Sequence, residues 1–340
     1  AVASSSRLAA DAGAEMADRG GNAVDAAVAA SFVQLVTEPG VVSLGAGALL
    51  TVWAPGKAPV LVDGAAEMPG RSAAPERLGT GSFDVVLPYG GGTPTAVGPG
   101  TVATPGAPAA LALAAERFGR LPWATLLAPA ERIARSGFPM APASRHYLEQ
   151  TSDPLFGWNP EALRPLLDRR GALPAIGERV VLRDLADSLA LLAREGVGAF
   201  YRGELARRIA AEVAGRGGLL GPDDLAAYEA RIVPALEVSL DAWSLATAPA
   251  PSVGGAVLAA MLLQLGRVGR GAWTEAMRRK LVTVQASVLR YRAERLDVAA
   301  DLPAEIADLL RRASAGPGGL PGALGSPSTV HTSTVDDTGL

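Results

Sequence analysis

Cysteine is absent from this 340-residue chain, which removes disulfides, thiolate metal ligands and a cysteine nucleophile together. The compartment is left open, because a cysteine-free chain survives in either redox environment. Histidine occurs twice, at His146 and His331, too few for a multi-histidine metal site. Lysine is as scarce: Lys57 and Lys280 stand alone among 31 basic residues, and the rest are arginines. With a net charge of -3 the chain lacks the basic surplus that a general nucleic-acid binder needs. No apolar run approaches the roughly 18–20 residues of a membrane span, and Val257 to Leu265 is core-helix length. Ala1-Val2-Ala3-Ser4 carries no basic region ahead of an apolar stretch, so the opening does not read as a signal peptide, though one could have been removed. Localisation stays open, with the cytoplasm favoured over a secreted or periplasmic setting.

What the chain does hold is a large apolar fraction, 49%, broken by 40 glycines and 26 prolines: a substantial core with frequent turns. A helix is predicted from about Arg7, stopped by Gly20-Gly21. Asn22 then caps an alanine-rich helix whose Val24, Ala27, Val28 and Phe32 make a small-residue face. Ala48 to Trp53 and Val60 to Val62 read as two strands joined through Ala54-Pro55-Gly56-Lys57, with Pro and Gly at the central turn positions. Met68 to Gly106 reads as a long irregular excursion. From Ala107 to about Leu310 the pattern is mainly helical, with core stripes at Leu111/Ala114/Phe118, Leu205/Ile209/Val213 and Val257/Leu258/Met261/Leu262/Leu265. Gly316 to Pro327 is a linker without apolar period. Thr329 to Val335 is β-branched and strand-like, Asp336-Asp337-Thr338-Gly339 is a turn, and Leu340 should begin a returning strand. A strand without its hairpin partner leaves an unpaired edge, so the chain is expected to be part of a longer protein.

Cofactor motifs are missing. No Gly-x-x-x-x-Gly-Lys occurs, neither Gly20-Gly21 nor Gly90-Gly91-Gly92 has the setting of a dinucleotide site, and Gly-x-Ser-x-Gly is absent. Asp223-Asp224 follow Gly221-Pro222 and read as a helix N-terminus favoured by the dipole rather than as a catalytic pair. The remaining candidate is Thr329. A flexible linker running into a strand that begins Ser-Thr is what a self-cleaving N-terminal nucleophile requires. The Thr329 hydroxyl would attack the Ser328 carbonyl, and the N-to-O acyl shift with hydrolysis would free an α-amine titrating at roughly 7.7–8.0. One residue then supplies nucleophile and base. Taken alone, Ser-Thr at a strand start also fits an ordinary surface strand.

A set of motifs decides between these. In chain order they are Gly20-Gly21-Asn22-Ala23-Val24-Asp25-Ala26-Ala27-Val28-Ala29, Glu38-Pro39 and Gly45-Ala46-Gly47; then Pro105-Gly106, Phe118 to Trp123, Leu127-Ala128-Pro129-Ala130 and Gly137-Phe138-Pro139. Phe200-Tyr201-Arg202-Gly203, Gly217-Gly218, Asp224 to Tyr228, Pro249 to Gly255 and Thr329 to Asp336 follow. In this order the chain resembles the γ-glutamyltranspeptidase (γ-glutamyltransferase) family over nearly its whole length. The resemblance implies an α+β fold, the Ntn-hydrolase αββα sandwich, incomplete here and completed by residues beyond 340. It implies a helix-rich large-subunit region at 1–314, a linker at 315–328 before the processing site, and the first small-subunit strand at 329–340. It implies a zymogen cleaved autocatalytically between Ser328 and Thr329, with Thr329 as nucleophile, and acyl transfer from γ-glutamyl amides such as glutathione to water, an amino acid or a peptide. No cofactor and no metal enters. The implied partners are a small amide or peptide substrate and the protein's own small subunit after cleavage, with no nucleic acid and no membrane. Oxyanion-hole groups would lie beyond Leu340, so this chain alone should be inactive.

Two departures bear on substrate choice. The family's Asp-x-Arg-Glu-x-x-Pro pattern, whose arginine forks onto the substrate α-carboxylate, is here Asp63-Gly64-Ala65-Ala66-Glu67-Met68-Pro69. Ala65 stands in the arginine's place, and Arg71 is the nearby candidate to replace it. Val330 replaces the second threonine of the processing segment. These changes point to a relaxed acyl specificity, for a small amide lacking the glutamyl α-carboxylate. The competing class is a degenerate, non-catalytic member acting as a scaffold or binding protein. Asn22 and Asp25 are expected to be structural, and His331 to pack or hydrogen-bond within its strand.

Overall fold

The computed structural model describes residues 1–88, 91–240, 243–266, 273–315 and 331–340. These divide into two compact units. One holds Ala1–Leu50 and Val62–Arg231 with the described C-terminal residues 331–340; the other holds Thr51–Leu61 and the described residues of 232–315. The helices are α1 (Arg7–Asp18), α2 (Ala23–Thr37), α3 (Ala107–Phe118), α4 (Trp123–Ser136), α5 (Pro142–Phe156), α6 (Pro160–Leu163), α7 (Arg183–Glu195), α8 (Gly198–Tyr201), α9 (Glu204–Gly215), α10 (Pro222–Ala227), α11 (Val253–Leu265), α12 (Glu275–Tyr291) and α13 (Leu302–Ser314). The strands are β1 (Val2–Ser4), β2 (Ala48–Val52), β3 (Val60–Gly64), β4 (Phe83–Leu87), β5 (Thr93–Val97), β6 (Phe138–Pro139), β7 (Arg179–Val180), β8 (Arg231–Pro234), β9 (Leu236–Leu240), β10 (Trp243–Thr247) and β11 (Thr332–Thr334).

Helix α2 is the centre of the first unit. Its alanines and valines are buried almost all round, as a helix apolar on every face must be. Two devices set its start. Gly20 takes a left-handed φ of 82°, ending α1, and Asn22 and Asp25 form a reciprocal capping box. Small residues let α1 lie close: a Cβ on Gly13 would meet the Ala26 carbonyl at 3.1 Å. Phe32 packs edge-on to Trp123 of α4 at 5.5 Å, and the Trp123 indole donates to Leu192 O at 2.9 Å, tying α4 to α7. In the second unit α11, α12 and α13 enclose Val257, Val284, Val288, Tyr291, Ile306 and Leu309.

The expected β2–β3 hairpin is present: Lys57 N donates to Ala54 O at 3.0 Å with Gly56 at φ 69°. Strands β2, β3 and β8 form one sheet in that order. Residues 107–310 are mainly helical, as expected, with the short strands β6 to β10 set among the helices. Two expectations need correction. Residues 68–106 are not wholly irregular, because β4 and β5 pair antiparallel with Phe83 opposite Val97. Leu258 is exposed, because α11 buries its small face, Gly255, Ala256, Ala259 and Ala260, more deeply than its leucines. The linker 315–328 falls, apart from Ala315, outside the described residues.

Candidate active site

The C-terminal segment is seated on α2. Strand β11 pairs antiparallel with β1, Val2 opposite Thr334 and Ser4 opposite Thr332, so the edge expected to be bare is covered on this side by the start of the chain. The Ala1 amine donates to Val335 O at 2.7 Å, extending the ladder. Gln34, buried on α2, reads the same segment. Its Oε1 accepts from the Thr332 hydroxyl at 2.7 Å, and its Nε2 donates to His331 O at 3.3 Å and to Ser5 Oγ at 2.9 Å. Ser5 in turn donates to Glu38 at 2.7 Å. A glutamine inside so apolar a helix needs partners, and that misfit of Gln34 between Val33 and Leu35 is the sequence signal that was available.

Further along, the segment caps α2. The first N–H groups of a helix have no intrahelical partner. Asn22 takes those of Val24 and Asp25 at 3.0 and 3.1 Å, and Asp336 takes that of Ala23 at 3.3 Å. Thr334 donates to Ala23 O at 2.8 Å. The other oxygen of Asp336 accepts from Thr338 N, Thr338 Oγ1 and Leu340 N, making the turn that the sequence predicts. Desolvation pushes the Asp336 carboxyl upward, but these hydrogen bonds outweigh it and hold it below its ordinary value. His331 is exposed, with its ring 2.7 Å from Ser333 Oγ, the hydrogen-bonding role expected of it. Ser328, Thr329 and Val330 lie outside the described residues, and the description resumes two residues after Thr329.

The second element is the 63–71 loop. Asp63 accepts from Ala65 N at 3.0 Å, and Glu67 and Thr104 exchange backbone hydrogen bonds at 3.1 and 2.9 Å. Buried Asp224 accepts from Gly70 N at 3.0 Å and Arg71 N at 2.8 Å while also capping its own helix at Gly221 N, 2.8 Å. Asp223-Asp224 is thus the expected helix N-terminus, and Asp224 is a latch on the loop besides. Ala65, Ala66 and Met68 are exposed, Met68 at 84%. Arg71 is not free: its guanidinium donates to Glu67 at 2.8 Å, and Arg231 reaches the other oxygen of Glu67 at 3.4 Å.

Backbone packs on backbone around Ala65. A Cβ on Gly47 would meet Ala66 N at 2.9 Å, and one on Gly106 would strike the Gly64 carbonyl and the Tyr228 hydroxyl. That hydroxyl donates to Ala65 O at 2.8 Å. The Tyr228 ring stacks on Tyr201 at 5.5 Å, and Tyr201 donates to Pro105 O at 2.9 Å. Among the described residues no group of histidines and carboxylates is placed to hold a metal, and no helix is long and apolar enough to cross a membrane.

Helices and short strands, with the last strand seated against α2 through Gln34, make an α+β fold, and its structural neighbours are of the Ntn-hydrolase class. A solved γ-glutamyltranspeptidase from Pseudomonas nitroreducens, complexed with L-DON, matches with a TM-score of 0.75 at 28% identity, covering 96% of each chain. The family profile described as Gamma-glutamyltranspeptidase matches residues 9–339. The chain belongs to the γ-glutamyltranspeptidase family. It is 34% identical over 262 residues to the glutathione hydrolase proenzyme of Pseudomonas aeruginosa, covering 77% of this chain and 45% of that protein. It is 32% identical over 271 residues to the Acylase ACY 1 proenzyme of Pseudomonas sp. (strain SE83), covering 78% and 48%. The chain therefore spans about half the length of the curated relatives it matches.

Proposed function

We propose that the full-length protein is an autoprocessing amidohydrolase or acyltransferase with Thr329 as nucleophile. Residues 1–314 would form the large-subunit region, 315–328 the linker and 329 onward the small subunit. In processing, Thr329 Oγ1 bonds to the Ser328 carbonyl carbon, the Ser328–Thr329 C–N bond breaks, and water hydrolyses the ester. The freed α-amine then takes the hydroxyl proton as Thr329 attacks a substrate amide, and passes it to the leaving amine. Water or an acceptor amine resolves the acyl-enzyme. The observation that carries this is the seating of residues 331–340: Gln34, Ala23 and β1 hold the strand behind the scissile bond. Such anchoring lets a newly freed N-terminus keep its position.

For the acyl group we infer an amide lacking the glutamyl α-carboxylate. The exposed side chains of the 63–71 loop are Ala65, Ala66, Met68 and Arg71, and Arg71, the one cation in it, is bound to Glu67. An added carboxylate would meet Asp63 and Glu67 without a free guanidinium. Relatives named as acylases as well as glutathione hydrolases fit that change. Intact mass of the full-length protein tests the processing. Two fragments, the smaller beginning at Thr329, are expected, and Thr329→Ala should abolish both cleavage and amide hydrolysis. Cleavage that survives the substitution removes Thr329 from the mechanism, and a wild-type chain that stays uncut favours a non-catalytic scaffold. Ala65→Arg should raise kcat/KM for γ-glutamyl over butyryl p-nitroanilide by at least about tenfold, the low end of one charge-assisted fork.

A further inference from the structure

Tyr228 makes a hydrogen bond whose stability value is small and whose geometric value is large. Its acceptor, the carbonyl of Ala65, belongs to an exposed residue, where water would serve as well. The donor, by contrast, is fixed. The Tyr228 ring lies nearly parallel to Tyr201, at 14°, and Tyr201 is itself bonded twice at the start of α3: it donates to Pro105 O and accepts from Ala109 N at 3.2 Å. Gly106 and Gly64 leave no side chain between that strut and the loop. That donor fixes the Ala65 end of the loop, while the Glu67–Thr104 pair and Asp224 hold the rest.

We propose that Tyr228 is a positioning residue for acyl-group recognition: by holding the Ala65 carbonyl it sets where the side chains of residues 65 and 66 meet the acyl donor. The assignment rests on the 63–71 loop being the acyl-recognition element proposed above. Burial pushes the Tyr228 phenol up to about 12, the Glu67 and Asp63 charges push the same way, and Arg231 partly offsets them. The phenol therefore stays a donor through neutral and mildly alkaline pH. The carboxylates and the guanidinium that face it stand on the same loop and on β8, and the face toward α8 is closed by Tyr201.

The test uses processed full-length protein with butyryl, glutaryl and γ-glutamyl p-nitroanilides. Tyr228→Phe keeps the stack and removes the bond. It is expected to raise KM by about three- to tenfold with kcat within about twofold, the mark of lost binding common to ground and transition states. Tyr201→Phe, which keeps the stack but loses the bonds to Pro105 and Ala109 that steady it, should raise KM in the same direction by a smaller factor. Replacing Tyr228 by 3,5-difluorotyrosine, whose phenol ionises at far lower pH, should make KM rise with pH as the donor is lost. KM for the parent should stay flat over the same range. That profile decides the matter even if Tyr228→Phe fails to fold. If Ala65→Arg alters acyl preference while KM ignores both Tyr228 changes, the positioning role is wrong and the loop assignment stands. If Ala65→Arg alters nothing, both fall together.

Discussion

Asp25 offers the sharpest test of how the first unit is held. It is wholly buried at the start of α2, with Oδ1 accepting from Arg120 N at 3.0 Å and Leu121 N at 3.2 Å. Its Oδ2 accepts from Asn22 N at 2.8 Å and Arg120 N at 3.0 Å. Asp25→Asn is nearly isosteric, yet neither orientation of the amide satisfies these donors. With its oxygen toward Leu121, the new NH2 faces Asn22 N; flipped, it faces Leu121 N. At least one hydrogen bond to a charged acceptor is lost, about 1.5–3 kcal/mol, and one buried donor is left unsatisfied at about 1–3 kcal/mol. The expected cost is about 3–5 kcal/mol, so opening of α2 should be roughly two to four orders of magnitude more frequent. Hydrogen exchange of peptides covering residues 22–37 reads that directly. The exposed Arg7–Asp11 pair serves as the contrast, since Asp11→Asn should cost no more than about 0.5 kcal/mol. If Asp25→Asn leaves α2 protection within tenfold of the parent, the buried carboxylate is not the hub that its geometry describes.

Two further outcomes follow from the same reasoning. Gln34→Leu strips the Thr332 hydroxyl and the His331 carbonyl of their partner, a loss of about 2–3 kcal/mol in seating the segment, and should slow processing of the full-length protein at least about tenfold. A time course of fragment appearance checks it, and an unchanged half-time would separate the seating from the cleavage. In the second unit, hydrogen bonds from Tyr291 and then Arg312 hold the Asp308 carboxyl down at about 2. A depressed carboxyl stabilises the fold fully above its unfolded value of roughly 3.9 and loses that contribution as pH falls toward the folded value. Exchange protection of α12 and α13 should fall between about pH 4 and pH 2 in the parent. In Asp308→Asn that part of the slope should be gone, and an identical slope in the variant would place the acid sensitivity elsewhere.

The helix starts and stops were legible because their causes are local. Gly20-Gly21 and Asn22 act within one turn, and the Asp336 turn closes through its own neighbours. The β4–β5 hairpin was not legible, since glycines and prolines hide a pairing that depends on register across a gap. The two-residue pairing of β6 with β7 is shorter than any periodicity can register.

For the site the division runs differently. The motifs alone pointed to the family, because their residue types are tied to particular backbone conformations and close approaches, and they put Ala65 where the resemblance expects an arginine. Only the tertiary structure decided what those residues touch. It turned Asp224 from a helix cap into a latch on Gly70 and Arg71, committed Arg71 to Glu67, and put the Tyr228 hydroxyl on Ala65, 163 residues away in the chain. It also paired the first strand with the last. Side-chain partners at such separations leave no period and no spacing in the sequence, because their distance along the chain is arbitrary. Folding alone brings them within hydrogen-bond reach.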